Sequence, residues 1–131
     1  RTGSDLEMLL RHDLRPRLVK GAYAGDYDDY EEIQNRLKRH VLRVRDTSGA
    51  ISIGTHDPRI LAWLADALRE ERHRIHLGFL MGLADATKEG LAGAGWTVWE
   101  YVPVGTASRP YILRRERYLA EHRVRGTAPA P

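Results

Sequence analysis

The chain has 131 residues, 42% apolar and 30% charged, a balance that suits one soluble globular domain and excludes a disordered or fibrous chain. It has no Cys, which excludes disulfides and thiolate metal centres, and no apolar run approaches a membrane span in length. The net charge is +3, yet residues 109–125 hold six Arg against two Glu and the remainder sums to about −1. A basic excess confined to one segment argues against a nucleic-acid surface, which spreads Lys and Arg along a face with aromatics between them.

Ser4 to Arg11 reads as a short helix with Leu6, Leu9 and Leu10 on one side. Pro16 blocks helix, and Arg17–Lys20 reads as a strand ending at Gly21. From about Asp28 to Leu42, the spacing of Tyr30, Ile33, Leu37 and Val41 predicts an amphipathic helix. Ile51–Gly54 is the next strand. Asp57 and Pro58 then form an N-cap and first turn, opening a helix that carries Ile60, Leu61, Leu64 and Leu68 to about Glu71. Arg74 to Phe79 reads as a strand, and Ala84 to Ala94 as a weaker helix stopped by Gly95. Trp96 to Val102 alternates as a strand. Pro110 opens a last helix to about Arg123, and Gly126–Pro131 reads as a disordered tail.

Strand followed by helix recurs along the chain, which implies right-handed crossovers and a parallel sheet. The absence of Gly-x-Gly-x-x-Gly and Walker A sequences argues against the two common nucleotide-binding versions. Four strand–helix units are half of an eight-unit barrel, whose usual size is about 250 residues. The chain opens on Arg rather than Met, so it reads as a processed product or a piece of something longer.

Reactive residues of parallel α/β folds sit where strands end. Here those positions carry Arg17, Lys20 and Tyr23, then Thr55 and His56, then Leu80, then Tyr101. On the last helix Tyr111, Arg114, Arg115 and Tyr118 share a face, and Arg115 also lies on a stripe with Ile112 and Leu119. A guanidinium on an apolar stripe calls for an anion, and two adjacent Arg forks beside Tyr suit a carboxylate. The alternative is a solvated basic face. His56 could equally be a loop histidine bonded to main chain, Lys20 a solvated strand end, and Tyr101 plain core. No paired-carboxylate site of obvious spacing, Gly-x-Ser-x-Gly elbow or His-x-x-x-His pair is present, so a metal enzyme or serine hydrolase is disfavoured.

Together these segments resemble the proline dehydrogenase family. Arg17-Leu-Val-Lys20-Gly21-Ala22-Tyr23 is similar to its fifth-strand motif, and Gly54-Thr55-His56-Asp57 to the segment after strand six. Leu77-Gly78-Phe79-Leu80-Met81-Gly82 resembles strand seven, and Tyr101-Val102-Pro103-Val104-Gly105 the end of strand eight. Tyr111-Ile112-Leu113-Arg114-Arg115 resembles the final helix. The pattern departs from the family at Ala24, Gly78, Val104 and Glu116.

The resemblance implies the second half of a (βα)8 TIM-type barrel over residues 1–125, with the N-terminal half of the barrel missing. It implies FAD, oxidation of L-proline to Δ1-pyrroline-5-carboxylate, and a quinone as electron acceptor. Placement would be cytoplasmic with peripheral contact at the inner face of a membrane. On this resemblance Arg17 and Tyr101 are catalytic. Arg114 and Arg115 clamp the proline carboxylate, while Tyr101, Tyr111 and Leu80 wall its ring. Arg17, Lys20, Gly21, Ala22, Tyr23, Thr55 and His56 hold the cofactor. A half-barrel is expected to be inactive alone. The alternatives are a related hydroxyproline dehydrogenase and a non-catalytic anion-binding half-barrel.

Overall fold

The computed structural model describes residues 2–20, 25–47, 49–106 and 108–124, excepting the side chains of 114, 118 and 121–124. Along the chain come α1 (Thr2–Arg11), β1 (Arg17–Val19), α2 (Tyr30–Arg45), β2 (Ile51–Gly54) and α3 (Pro58–Ala67). A 3-10 turn (Arg69–Arg74) follows, then β3 (Ile75–Leu80), α4 (Asp85–Gly93), β4 (Thr97–Tyr101) and α5 (Arg109–Val124). The strands form one parallel sheet in the order β1-β2-β3-β4, so each strand pairs with its neighbour in sequence. The fold is therefore α/β with a four-stranded parallel sheet. Gly21, Ala22 and Tyr23, and the tail at 126–131, lie outside the described residues.

Alternation along the strands divides the sheet into two unlike faces. One face carries Leu18, Ile51, Ile53, Ile75, Leu77 and Phe79, all buried against helices that contribute Leu37, Val41, Ile60, Leu61 and Leu64. The other face carries Arg17, Val19, Ser52, Gly54, His76, Gly78, Leu80, Thr97, Trp99 and Tyr101, and none of these is buried. Trp99 and Tyr101 are more than half exposed. All-parallel sheets are ordinarily covered on both faces, so the open face is the departure that bears on function.

Several elements differ from the sequence expectation for identifiable reasons. The helix expected to run to Glu71 ends at Ala67, where Leu68 leaves α geometry with φ −125° and buries its side chain. The charged run after it has no apolar stripe to continue the helix and tightens into the 3-10 turn. On α2 the buried stripe is Gln34, Leu37, Val41 and Val44, while Ile33 is half-buried. Gly95 stops α4 with φ +85°, as its position suggests. Among the described residues, no helix is long and apolar enough to cross a membrane.

Arg74, expected as the first residue of a strand, instead clips two elements together just before β3. Its guanidinium donates to the carbonyls of Thr47 (2.9 Å), Gly49 (3.1 Å) and Arg45, and to the Glu71 carboxylate (2.7 Å). These carbonyls are the unsatisfied end of α2 and the loop into β2. Arg74→Ala is expected to cost about 2 kcal/mol by orphaning them. Arg74→Lys should recover less than half of that, because an ammonium lacks the planar fork. Denaturant unfolding of the three proteins measures both values.

Candidate functional site

The C-terminal ends of β1 and β2 are tied by one carboxylate. Asp57 follows β2 and is fully buried. Its Oδ1 accepts the backbone N–H groups of Arg59 (3.0 Å) and Ile60 (3.3 Å), capping α3. Its Oδ2 accepts from the Lys20 ammonium at the end of β1, from the Tyr30 hydroxyl (2.7 Å) and from Gln34 Nε2 (2.9 Å) on α2. Its own N–H donates to Thr55 Oγ1 at 3.1 Å. Burial opposes the charge on Asp57, but the Lys20, Tyr30 and Gln34 donors outweigh it and hold the carboxyl at about 2. The same burial, with the Asp57 charge alongside, pushes the Tyr30 phenol up to about 12.

Lys20 and Thr55 therefore serve the scaffold. The Lys20 side chain is only 9% exposed and lies on the helix-covered side, paired to Asp57, so it is not a solvated strand end. Thr55 is buried and spent on the Asp57 backbone. His56 is buried too, and its Nε2 accepts the Leu80 N–H at 2.9 Å, the main-chain-bonded arrangement.

Four nominated residues meet at the turn that follows β3. Leu80 donates its N–H to His56, and Leu80 and Tyr101 are register partners. Met81 donates its N–H to the Tyr101 carbonyl at 3.1 Å. The Gly82 carbonyl accepts from Arg115 Nη2 at 2.8 Å. Gly82 has φ +69°, and a Cβ there would stand 3.3 Å from that same Nη2, so glycine is required on two counts. The 80–83 turn thus receives β2, β4 and α5 at once. Tyr111 lies one helical turn before Arg115, and its hydroxyl is buried with no hydrogen-bond partner among the described residues.

Arg115 is half-buried rather than deeply buried, and its described partner is a carbonyl dipole, not an anion. Ile112 and Leu113 are about half exposed, because α5 gains no extensive packing partner among the described residues. The side chain of Arg114 lies outside the described residues. Tyr101 belongs to the open face at 57% exposure and is not core.

Arg17 lies on the open face. Its stem and guanidinium pass over Gly54 and Gly78, at 3.7 Å from a Cβ position on the first and 3.9 Å on the second. It forms no ion pair among the described residues. With Ser52, His76, Gly78 and Trp99 it lines a shallow depression of about 230 Å³. The His76 and Trp99 rings stand 5.9 Å apart along one side.

Asp57 as a charged hub and Gln34 as its donor go beyond what the sequence suggested, which was an N-cap alone. The available signal was Gln34 itself, a polar residue on the stripe of Leu37, Val41 and Val44. No protein-family model matches the chain, and no curated protein matches it.

Asp57→Asn keeps the cap but leaves the Lys20 ammonium buried without its counter-charge, and is expected to destabilise by about 3 kcal/mol. The depressed Asp57 pKa adds about 2 kcal/mol that is fully present above about pH 4 and lost as pH falls through about 2. The acid limb of the stability curve should therefore flatten in the Asn variant, as measured by denaturant unfolding between pH 2 and 6.

Proposed function

We propose that the chain is the C-terminal half of the catalytic barrel of an FAD-dependent proline dehydrogenase. The observation that carries the reading is the convergence of His56, Leu80, Tyr101 and Arg115, from three strand ends and the last helix, on the turn at 80–83. These residues come from four of the motifs that resemble that family.

The open sheet face supports the barrel. A parallel four-stranded sheet with helices on one side and bare β1 and β4 edges is what four units of a closed (βα)8 barrel leave when taken alone. Among the described residues, the open face carries Arg17 and no carboxylate. The other half of the barrel, or its ligand, must bring the anion.

The residues present fit a flavin on this face. Gly54 and Gly78 are register partners and make a floor without side chains, with the Arg17 guanidinium beside it. FAD, when bound, supplies a two-electron acceptor for the hydride removed from proline. Arg17 contributes a fixed positive charge where negative charge accumulates on reduction. Lys20, Thr55 and His56 support this site by fixing the strand ends beside it.

Arg115 and its neighbour Arg114 supply the charge for the proline carboxylate. Leu80 and Tyr101, side by side across β3 and β4, supply an apolar wall. The Tyr111 hydroxyl, without a hydrogen-bond partner among the described residues, supplies a polar group on the same helix face as Arg115. Tyr101 at this wall favours proline over 4-hydroxyproline, whose hydroxyl its ring would crowd.

In the eight-unit enzyme that carries this chain, Arg115→Met should raise KM for L-proline about a hundredfold by removing a charge-assisted pair. The flavin absorbance should stay. Dye-coupled proline oxidation and the visible spectrum measure the two effects. Absence of flavin from the parent enzyme, or an unchanged KM in the variant, overturns the reading.

A further inference from the structure

The covered side of β4 ends in a charge. Val98 still packs on the core, but the next residue on that side is Glu100, which alternates with the open-face residues Trp99 and Tyr101. The Glu100 carboxylate meets the Lys88 ammonium of α4, and Asp85, one turn earlier on the same helix, meets that ammonium too. Lys88 is buried, whereas both carboxylates belong to exposed residues. Lysine is rarely buried without a partner, because an unpaired ammonium out of water is costly.

The helix that carries Lys88 starts inside the turn after β3. Ala84, its N-cap, is buried and left-handed at φ 55°, and its carbonyl accepts the Lys88 N–H at 2.9 Å. Gly82 is left-handed as well, at φ 69°. A non-glycine residue keeps that conformation only where its surroundings impose it, so the shape of the turn depends on how its two ends are held. One end is β3, paired with β4 as far as Leu80 and Tyr101. The other end is α4, which Lys88 ties to Glu100. The pair thus closes a circuit from β4 through β3, the turn and α4 back to β4.

We infer that Lys88 is a positioning residue for this turn. Through Glu100 it fixes the segment bearing Leu80 and the Gly82 carbonyl, which holds Arg115, against the end of β4 that bears Tyr101. It acts from the helix-covered side of the sheet. The substrate side of this inference rests on the proline dehydrogenase reading.

Three substitutions test the circuit. Lys88→Met keeps the stem and removes the charge, Glu100→Met removes the partner, and Asp85→Asn leaves the tie to β4 intact. The Met81 N–H, which donates to the Tyr101 carbonyl, is the reporter. In the chain itself, hydrogen exchange at Met81 should quicken about fivefold in either Met variant, the size of effect that one ion pair gives. The double variant should add nothing further, since both changes break the same contact. Leu77 should be unchanged in all of them, and Met81 unchanged in Asp85→Asn. If Lys88→Met does not fold, Glu100→Met, at an exposed position, gives the same readout.

In the flavin-loaded eight-unit enzyme, Lys88→Met should raise KM for L-proline about fivefold with kcat and flavin absorbance held. It should also narrow the preference for L-proline over 4-hydroxyproline, because the Tyr101 ring is no longer fixed where the hydroxyl would fall. Unchanged Met81 exchange in both Met variants overturns the inference. So does an Asp85→Asn effect equal to that of Lys88→Met, which would make Lys88 a helix-stabilising residue alone, and so does faster Met81 exchange with KM unchanged. A wild-type enzyme that binds flavin but leaves proline untouched would sink the proline reading alone, and Met81 exchange would still decide the role of Lys88.

Discussion

A single buried carboxylate organises the C-terminal rim of this sheet. Asp57 caps α3 with one oxygen and gathers Lys20, Tyr30 and Gln34 with the other, so β1, α2, β2 and α3 share one charge. Burying an ion is costly, and the cost is offset only when every lone pair finds a donor. Here one ammonium, a phenol, an amide and two backbone N–H groups supply those donors. The result is that two segments resembling cofactor-binding motifs, at the ends of β1 and β2, cannot move independently of each other.

The sheet is finished on one side and open on the other. Its covered face is an ordinary aliphatic core, whereas its open face mixes a cation, two glycines, small polar residues and large aromatics. That mixture is too polar for a second helix layer and too apolar for permanent exposure. In the barrel proposed above, this face would line the interior near its mouth. Gly78, a departure from the family pattern, leaves room for the Arg17 guanidinium to reach the third strand.

The element order was legible in the sequence because local signals agreed with the tertiary result. Asp57-Pro58 marked a helix start, Gly95 a stop, and the strands stood out as short apolar runs. The end of α3 was not legible, because Leu68 completes the apolar stripe and is buried even though it has left the helix, between α3 and the 3-10 turn. Of the candidate site, the residue types were legible but their partners were not. Lys20 looks the same in sequence whether it faces a ligand or Asp57, since that depends on which side of β1 it projects from. Arg115 sits on an apolar stripe, yet α5 packs too lightly to bury it, and long-range packing of that kind leaves no local trace.

The strictly sequential strand order also shapes how the molecule can be built. Each strand pairs with the preceding one only across a crossover, as Arg17 with Ser52 and His76 with Thr97, so a long loop must close before any ladder bond forms, a topology associated with slow folding. The grip of Arg115 on Gly82, at 33 positions, is of the same range as the pairing of β1 with β2. The 80–83 turn is therefore complete only once α5 has docked, because the Gly82 carbonyl takes its donor from Arg115.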